Sequence, residues 1–226
     1  MQLKLSFAVV AAALILAGAF AFQRHQPRVP AAAPHPAVVV SQPPALPSVQ
    51  VFPPITSSDH ARGAAQAKVT LIEYTDLSCL SCRQLYATLQ QVVADYPDDV
   101  RWVLRHDPAV SSGNGASSQA YANAAECAGA QGSFWQYADV LERSDGQADA
   151  QDVAKAAHVK DLKAFAACVA ADTYKARIDK QAQEAKATGQ LNIPFTILIG
   201  PIQQTTSLPG AVPLASLKET IDSLLK

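Results

Sequence analysis

Cys79 and Cys82 are separated by two residues where a strand-forming run gives way to an amphipathic helix, and that placement constrains the chain more than any other feature. Residues 68–75 are rich in β-branched and aromatic side chains and read as a strand. After the cysteines, Cys82, Leu85, Tyr86, Leu89, Val92, Val93 and Tyr96 recur at three- and four-residue spacing, the signature of a helix with one apolar face. Unpaired N–H groups at a helix start carry about half a unit of positive charge. That charge favours a thiolate and brings its pKa below the usual value of about 8.5. The residues therefore imply a redox-active dithiol. Cys79, nearer the helix end, is the candidate nucleophile, and Cys82 is the resolving thiol that closes or opens the ring. A zinc ribbon needs a second CxxC at ribbon spacing, whereas Cys127 and Cys168 stand alone and far apart.

The rest of the chain after residue 58 alternates between the two secondary-structure periods. Residues 100–104 read as a second strand, so that strand, helix and strand form a parallel crossover unit. Gly113-Asn114-Gly115 reads as a turn. A long alanine-rich helical region covers 116–171, with Phe134, Trp135, Tyr137, Leu141, Leu162 and Phe165 as anchors and Asp149 as an N-cap. Residues 173–188 predict a polar-faced helix, 195–199 a buried strand, 203–208 an edge strand and 214–225 a closing helix. The buried stripe of that last helix is Leu214, Leu217, Ile221, Leu224 and Leu225.

Upstream of this α/β region the composition changes twice. Lys4 is followed by an apolar run over 5–22, broken only by Ser6 and Gly18. The run exceeds the core of about 7 to 15 residues usual in a signal peptide and meets the lower limit of about 18 for a spanning helix. Residues 1–25 are thus expected to be a signal-anchor or a signal peptide, with the anchor preferred. Residues 26–58 hold nine of the fifteen prolines and suit a semi-rigid linker rather than a packed element. Residues 59–226 have the length and composition of one domain. A formal net charge of −1 with no basic cluster argues against a nucleic-acid partner, and no dinucleotide or phosphate-loop string is present. No cofactor is expected. Soft-metal capture would want thioether or imidazole ligands, but the one methionine is Met1 and no histidine lies near Cys79 in sequence. His106 and His158 read as surface or satisfied core residues. A metal (copper) chaperone and a non-catalytic interaction domain remain the competing classes.

Several strings resemble the DsbA-like branch of the thioredoxin superfamily. They are Leu71-Ile72-Glu73-Tyr74-Thr75-Asp76 leading into the CxxC; Ala124-Ala125-Glu126-Cys127-Ala128-Gly129 followed by Gln131-Gly132-Ser133-Phe134-Trp135; Ala167-Cys168 followed by Tyr174-Lys175-Ala176-Arg177; and Ile193-Pro194 before a strand. The resemblance implies a thioredoxin-like α/β fold, a central mixed sheet flanked by helices, with a helical insertion at about 115–172. It implies a thiol:disulfide oxidoreductase outside the cytoplasm, in the periplasm, acting on client proteins and reset by a membrane redox partner. Pro194 would follow a cis peptide bond beside the dithiol, and Ile193, Pro194, Leu80 and Ser81 would meet the client. Glu73 would be a buried acid that exchanges protons with Cys82; an exposed strand-end carboxylate is the alternative. Cys127 and Cys168 are expected to close a second disulfide across the insertion, with an electron relay and two free thiols as alternatives. Where the family commonly has Pro-His between its cysteines, Leu80-Ser81 offers no cation. Ser81 can donate only a neutral hydrogen bond, which predicts a less oxidising couple.

Overall fold

The computed structural model describes residues 53–108, 118–144 and 148–226. These residues belong to the second of the two units into which the chain divides, Leu46–Lys226. The apolar run at 5–22, most of the proline-rich stretch and the turn at Gly113-Asn114-Gly115 lie outside them. Among the described residues, no helix is long and apolar enough to cross a membrane.

Five strands form one mixed sheet. They are β1 (His60–Gly63), β2 (Val69–Thr75), β3 (Val100–His106), β4 (Phe195–Ile199) and β5 (Thr205–Pro209), ordered β1-β3-β2-β4-β5. β2 and β3 pair in parallel, joined by helix α1 (Leu80–Asp95), as the strand-helix-strand pattern requires; the other pairs are antiparallel. β2 is the central strand and is buried at all seven positions. Its two faces serve different cores. Val69 and Leu71 join the larger cluster with Leu85 and Leu89 of α1, whereas Ile72 and Tyr74 join a smaller one with Phe195 and Ile197. Alternation along a strand therefore puts Glu73 on the α1 face.

The helical region between β3 and β4 divides into α2 (Ser118–Gly129), α3 (Phe134–Arg143), α4 (Ala150–Ala156) and α5 (Leu162–Ala170), followed by α6 (Lys175–Ala187). Asp149 caps α4 by accepting from the N–H groups of Gln151 and Asp152. Phe165 lies fully buried against Tyr137, and a Cys127–Cys168 disulfide ties α2 to α5. The closing helix α7 (Leu214–Leu224) buries Leu217 and Ile221 beside α1 and is held there by a Lys218–Asp95 ion pair and by Tyr96 OH donating to Asp222.

β1 was not expected from the sequence. His-Ala-Arg-Gly has little strand character, and the strand rests on its ladder with β3 and on two inward polar side chains. Arg62 makes a two-pronged contact with Asp139 at 2.7 and 3.0 Å. His60 Nε2 lies 3.0 Å from Glu126 Oε2. The same carboxylate lies 3.2 Å from His106 Nε2 and 3.3 Å from Arg177, so Glu126 joins β1, β3 and α6. His106 is thus a core residue held by a carboxylate.

Candidate redox site

Asp76, just past the end of β2, is buried and shapes the turn into α1. Its Oδ1 accepts from the N–H and the hydroxyl of Ser78 at 2.8 and 2.7 Å, and its carbonyl accepts from the Cys79 N–H at 3.1 Å. Cys79 then sits as the N-cap of α1 in an extended conformation. A helix cap accepts from the first turn, and here the acceptor is sulfur: Cys82 N–H donates to Cys79 Sγ at 3.2 Å. Ser81 Oγ lies 3.2 Å from the same sulfur. Cys79 and Cys82 are joined by a disulfide. The two sulfurs are unequal, since Cys79 is partly exposed while Cys82 is buried at 1 % exposure. An incoming thiolate can reach the first and not the second.

The proline that the sequence placed here is at the same end of the sheet. Tyr74 pairs with Phe195, so Pro194 comes level with Thr75, where β2 turns toward the dithiol. The Ile193–Pro194 bond is cis. Beside it opens a cavity of about 390 Å³ lined by Asp107, Ala182, Lys186, Gln190, Leu191 and Ile193. Leu80 and Leu191 are exposed apolar side chains at 65 % and 94 %, which gives this end of the molecule an apolar rim. A larger hollow of about 590 Å³, with Lys68, Arg101 and Ile199 in its wall, lies at the other end of β2, away from the chemistry.

Glu73 is fully buried and not a strand-end charge. Trp102 Nε1 donates to its Oε2 at 3.0 Å, and among the described residues Oε1 has no hydrogen-bond partner. Burial pushes its carboxyl up to about 8, against the opposing pull of Thr75 and Trp102. A second acid with a similar environment, Glu142 on α3, was not picked out from the sequence. Burial, with the Glu73 carboxylate next, pushes it up to about 8 as well, while Arg83 opposes the rise. The only sequence signal was its position three residues after Asp139 on a helix with Trp135. Nothing in that spacing says that the helix lies against α1. Among the described residues, no group of three or more His, Cys, Asp or Glu side chains is placed to hold a metal ion.

A family model described as Thioredoxin matches residues 56–222. Among curated proteins, the chain is similar to a Na(+)/H(+) antiporter NhaA of Herminiimonas arsenicoxydans, with 31% identity over 157 residues covering 69% of this chain and 24% of that protein. It is also similar to a Na(+)/H(+) antiporter NhaA 1 of Salinispora arenicola, with 36% identity over 104 residues, 46% of this chain and 16% of the other. The chain thus spans about a sixth to a quarter of the length of these relatives. Among solved structures, a thioredoxin-like oxidoreductase from Silicibacter pomeroyi matches with a TM-score of 0.64 at 24% identity, covering 74% of this chain and 92% of that one. DsbA2 of Pseudomonas aeruginosa matches with a TM-score of 0.59 at 24% identity over 74% and 94% of the two chains. These likenesses show the fold, a thioredoxin-like sheet with inserted helices.

Proposed function

The chain belongs to the thioredoxin family and is a thiol:disulfide oxidoreductase built on the Cys79–Cys82 pair; from that premise we propose that it donates this disulfide to client proteins outside the cytoplasm. The observation that carries the reading is the asymmetry of the two sulfurs at the start of α1. A client thiolate attacks the reachable Cys79 Sγ, forms a mixed disulfide and expels Cys82 as a thiolate. Glu73 gives that thiolate its proton. The client's second thiol, deprotonated by solvent, then attacks the client sulfur of the mixed disulfide and releases Cys79 as a thiolate. Its charge meets the Cys82 N–H and the Ser81 hydroxyl. Two electrons have moved from client to enzyme, and a membrane redox partner removes them by the reverse steps.

The cis-proline segment supplies the place where a client lies. Pro194 has no N–H to pair, and Ile193, Leu80 and Leu191 offer apolar contact along the same rim. Location outside the cytoplasm is supported by two disulfides among the four cysteines and by the similarity of the fold to a periplasmic thioredoxin-like protein of Salmonella enterica. We place the domain at a membrane surface, tethered by residues 1–25 through the linker at 26–58. The antiporter relatives favour that placement, because an antiporter acts at a membrane and carries a stretch similar to this chain. Nothing among the described residues favours the metal-chaperone reading.

Titrating the full chain against glutathione gives the potential of Cys79–Cys82. A value above about −180 mV supports disulfide donation, and a value near −270 mV overturns it in favour of a reductase. Cys82→Ser is expected to accumulate mixed disulfides with clients, and Cys79→Ser to lose exchange altogether; activity surviving in Cys79→Ser would sink the assignment of the nucleophile.

A further inference from the structure

Among the described residues, two carboxyl groups each keep one buried oxygen without a hydrogen-bond partner: Glu73 Oε1 and Glu142 Oε2. They come from different parts of the fold, the central strand and the last turn of α3 in the inserted helices. The helix α3 lies along α1. Asp139 accepts from Tyr86 OH at 2.6 Å and Gln90 Nε2 at 2.7 Å on α1, and from Arg62 on β1. Glu142 is three residues further along α3, on the same face, and Arg83 is three residues before Tyr86 on α1, so this contact continues toward the dithiol. Glu73 meets it from below. The Trp102 indole that donates to Glu73 stands edge-on to Tyr86 at 4.8 Å and lies 4.7 Å from Trp135 of α3.

We infer that Glu142 is a positioning residue for the proton step of disulfide exchange, pairing with Glu73 so that the buried acid keeps its proton until Cys82 needs it and regains it through α3. Glu142 is part-exposed, whereas Glu73 has no exposure at all, so the pair spans from the core to the surface. Among the described residues, the charges that Glu142 feels are mostly negative. Glu142 feels Glu73 from β2, Asp76 from the turn before α1 and Asp139 from its own helix, with Arg83 of α1 as the opposing cation. Arg62 of β1 does not reduce this imbalance, because it is engaged with Asp139. Burial raises both acids to about 8, and at Glu142 this crowding adds to it. Two acids matched in this way release their protons in two steps that belong to the pair. Glu73 alone would titrate once and would have no part-exposed acid beside it to refill it.

The inference rests on reading Glu73 as the proton donor to Cys82, and the test keeps the two apart. In the full chain carrying ¹³C-carboxyl glutamate, NMR follows both groups with pH, and stopped-flow exchange with a reduced peptide is measured over the same range. Wild type is expected to show two coupled steps. Glu142→Gln keeps the shape of the side chain and should leave one step for Glu73, a unit or more below the upper wild-type step. The protonated fraction of Glu73 above that step, and the exchange rate limited by it, then fall about tenfold. Glu142→Asp should restore part of the shift. A Glu73 step unmoved in Glu142→Gln overturns the inference while leaving the Glu73 reading intact. An exchange profile unchanged in Glu73→Gln overturns both. A loss of thermal stability in Glu142→Gln equal at every pH, with no moved midpoint, marks a packing role and also overturns it.

Discussion

Replacing Glu73 with Gln should make the protein more stable as pH rises, and the size follows from burial. The side chain is fully enclosed, and its carboxyl is raised from 4.5 to about 8. Below pH 4.5 both the folded and the unfolded chain hold the proton, and the residue costs nothing by titration. Between 4.5 and about 8 the unfolded chain releases a proton that the native state keeps, so stability falls as pH rises through this window and levels off above it. At about 1.4 kcal/mol per unit, a rise of about 3.5 units amounts to about 5 kcal/mol. Gln keeps an oxygen for the Trp102 indole and has no charge to bury. The difference in unfolding free energy between variant and parent should therefore be near zero at pH 4 and approach about 5 kcal/mol at pH 9. Urea unfolding of the oxidised protein at pH 4, 6, 7.5 and 9 measures it. Exchange activity should fall in the same variant. If the two stability curves run parallel from pH 4.5 to 8.5, Glu73 does not titrate across that window in the folded protein and the proton-donor argument fails with it.

The Cys127–Cys168 bridge closes a loop across a sequence separation of 41 residues, which the chain-entropy relation values at about 4 kcal/mol. Cys127→Ala with Cys168→Ala should lose about that much in urea unfolding while the potential of Cys79–Cys82 stays in place; a moved potential would point to an electron relay instead. Ser81→Ala removes the hydroxyl 3.2 Å from Cys79 Sγ. A lost hydrogen bond to the thiolate of about 1 kcal/mol should make the couple more reducing by about 20 mV and raise the Cys79 pKa, both readable by glutathione titration and alkylation. An unchanged potential would mean that the serine does not serve the thiolate.

Elements whose own residues decide them were legible in the sequence. β4 lies at the expected 195–199 because five consecutive apolar or β-branched residues enter a strand buried on both sides. α1 and α7 followed from their apolar spacing, and Asp149 as a cap from its place before a helical run. β1 was not legible, since its reasons lie 66 and 77 residues away in Glu126 and Asp139. The edge strand read at 203–208 forms at Thr205–Pro209, later than composition suggested, because Gly200, Gln203 and Gln204 are used in the turn between β4 and β5. Among site residues, Cys79, Cys82 and Pro194 announce themselves by type and neighbours. The direction of Glu73 could not be read from alternation, because β2 is buried on both faces and offers no polar side to compare. Glu142 was hidden for a different reason: on a helix surface an acid is ordinary, and only the packing of α3 along α1 makes it unusual.

The distribution of charge around the dithiol ties these residues to the pH dependence of its potential. Reducing the disulfide adds two negative charges, and the two sulfurs receive them in unlike places. At Cys79 the charge is met by the helix start, the Cys82 N–H and one neutral hydroxyl, which is enough to favour a thiolate but weaker than help from a cation. Cys82 is buried, where a charged sulfur loses its hydration. A lasting second thiolate is disfavoured there, so the expelled Cys82 thiolate takes a proton, and a proton travels with the electrons. A two-electron couple that takes up one proton shifts by about 30 mV per pH unit, and one that takes up two by about twice that. The proton taken up at Cys82 thus makes the oxidising strength of the site fall as pH rises. The residues between the cysteines set the potential at a given pH; the number of protons that the reduced pair takes up sets how steeply it changes.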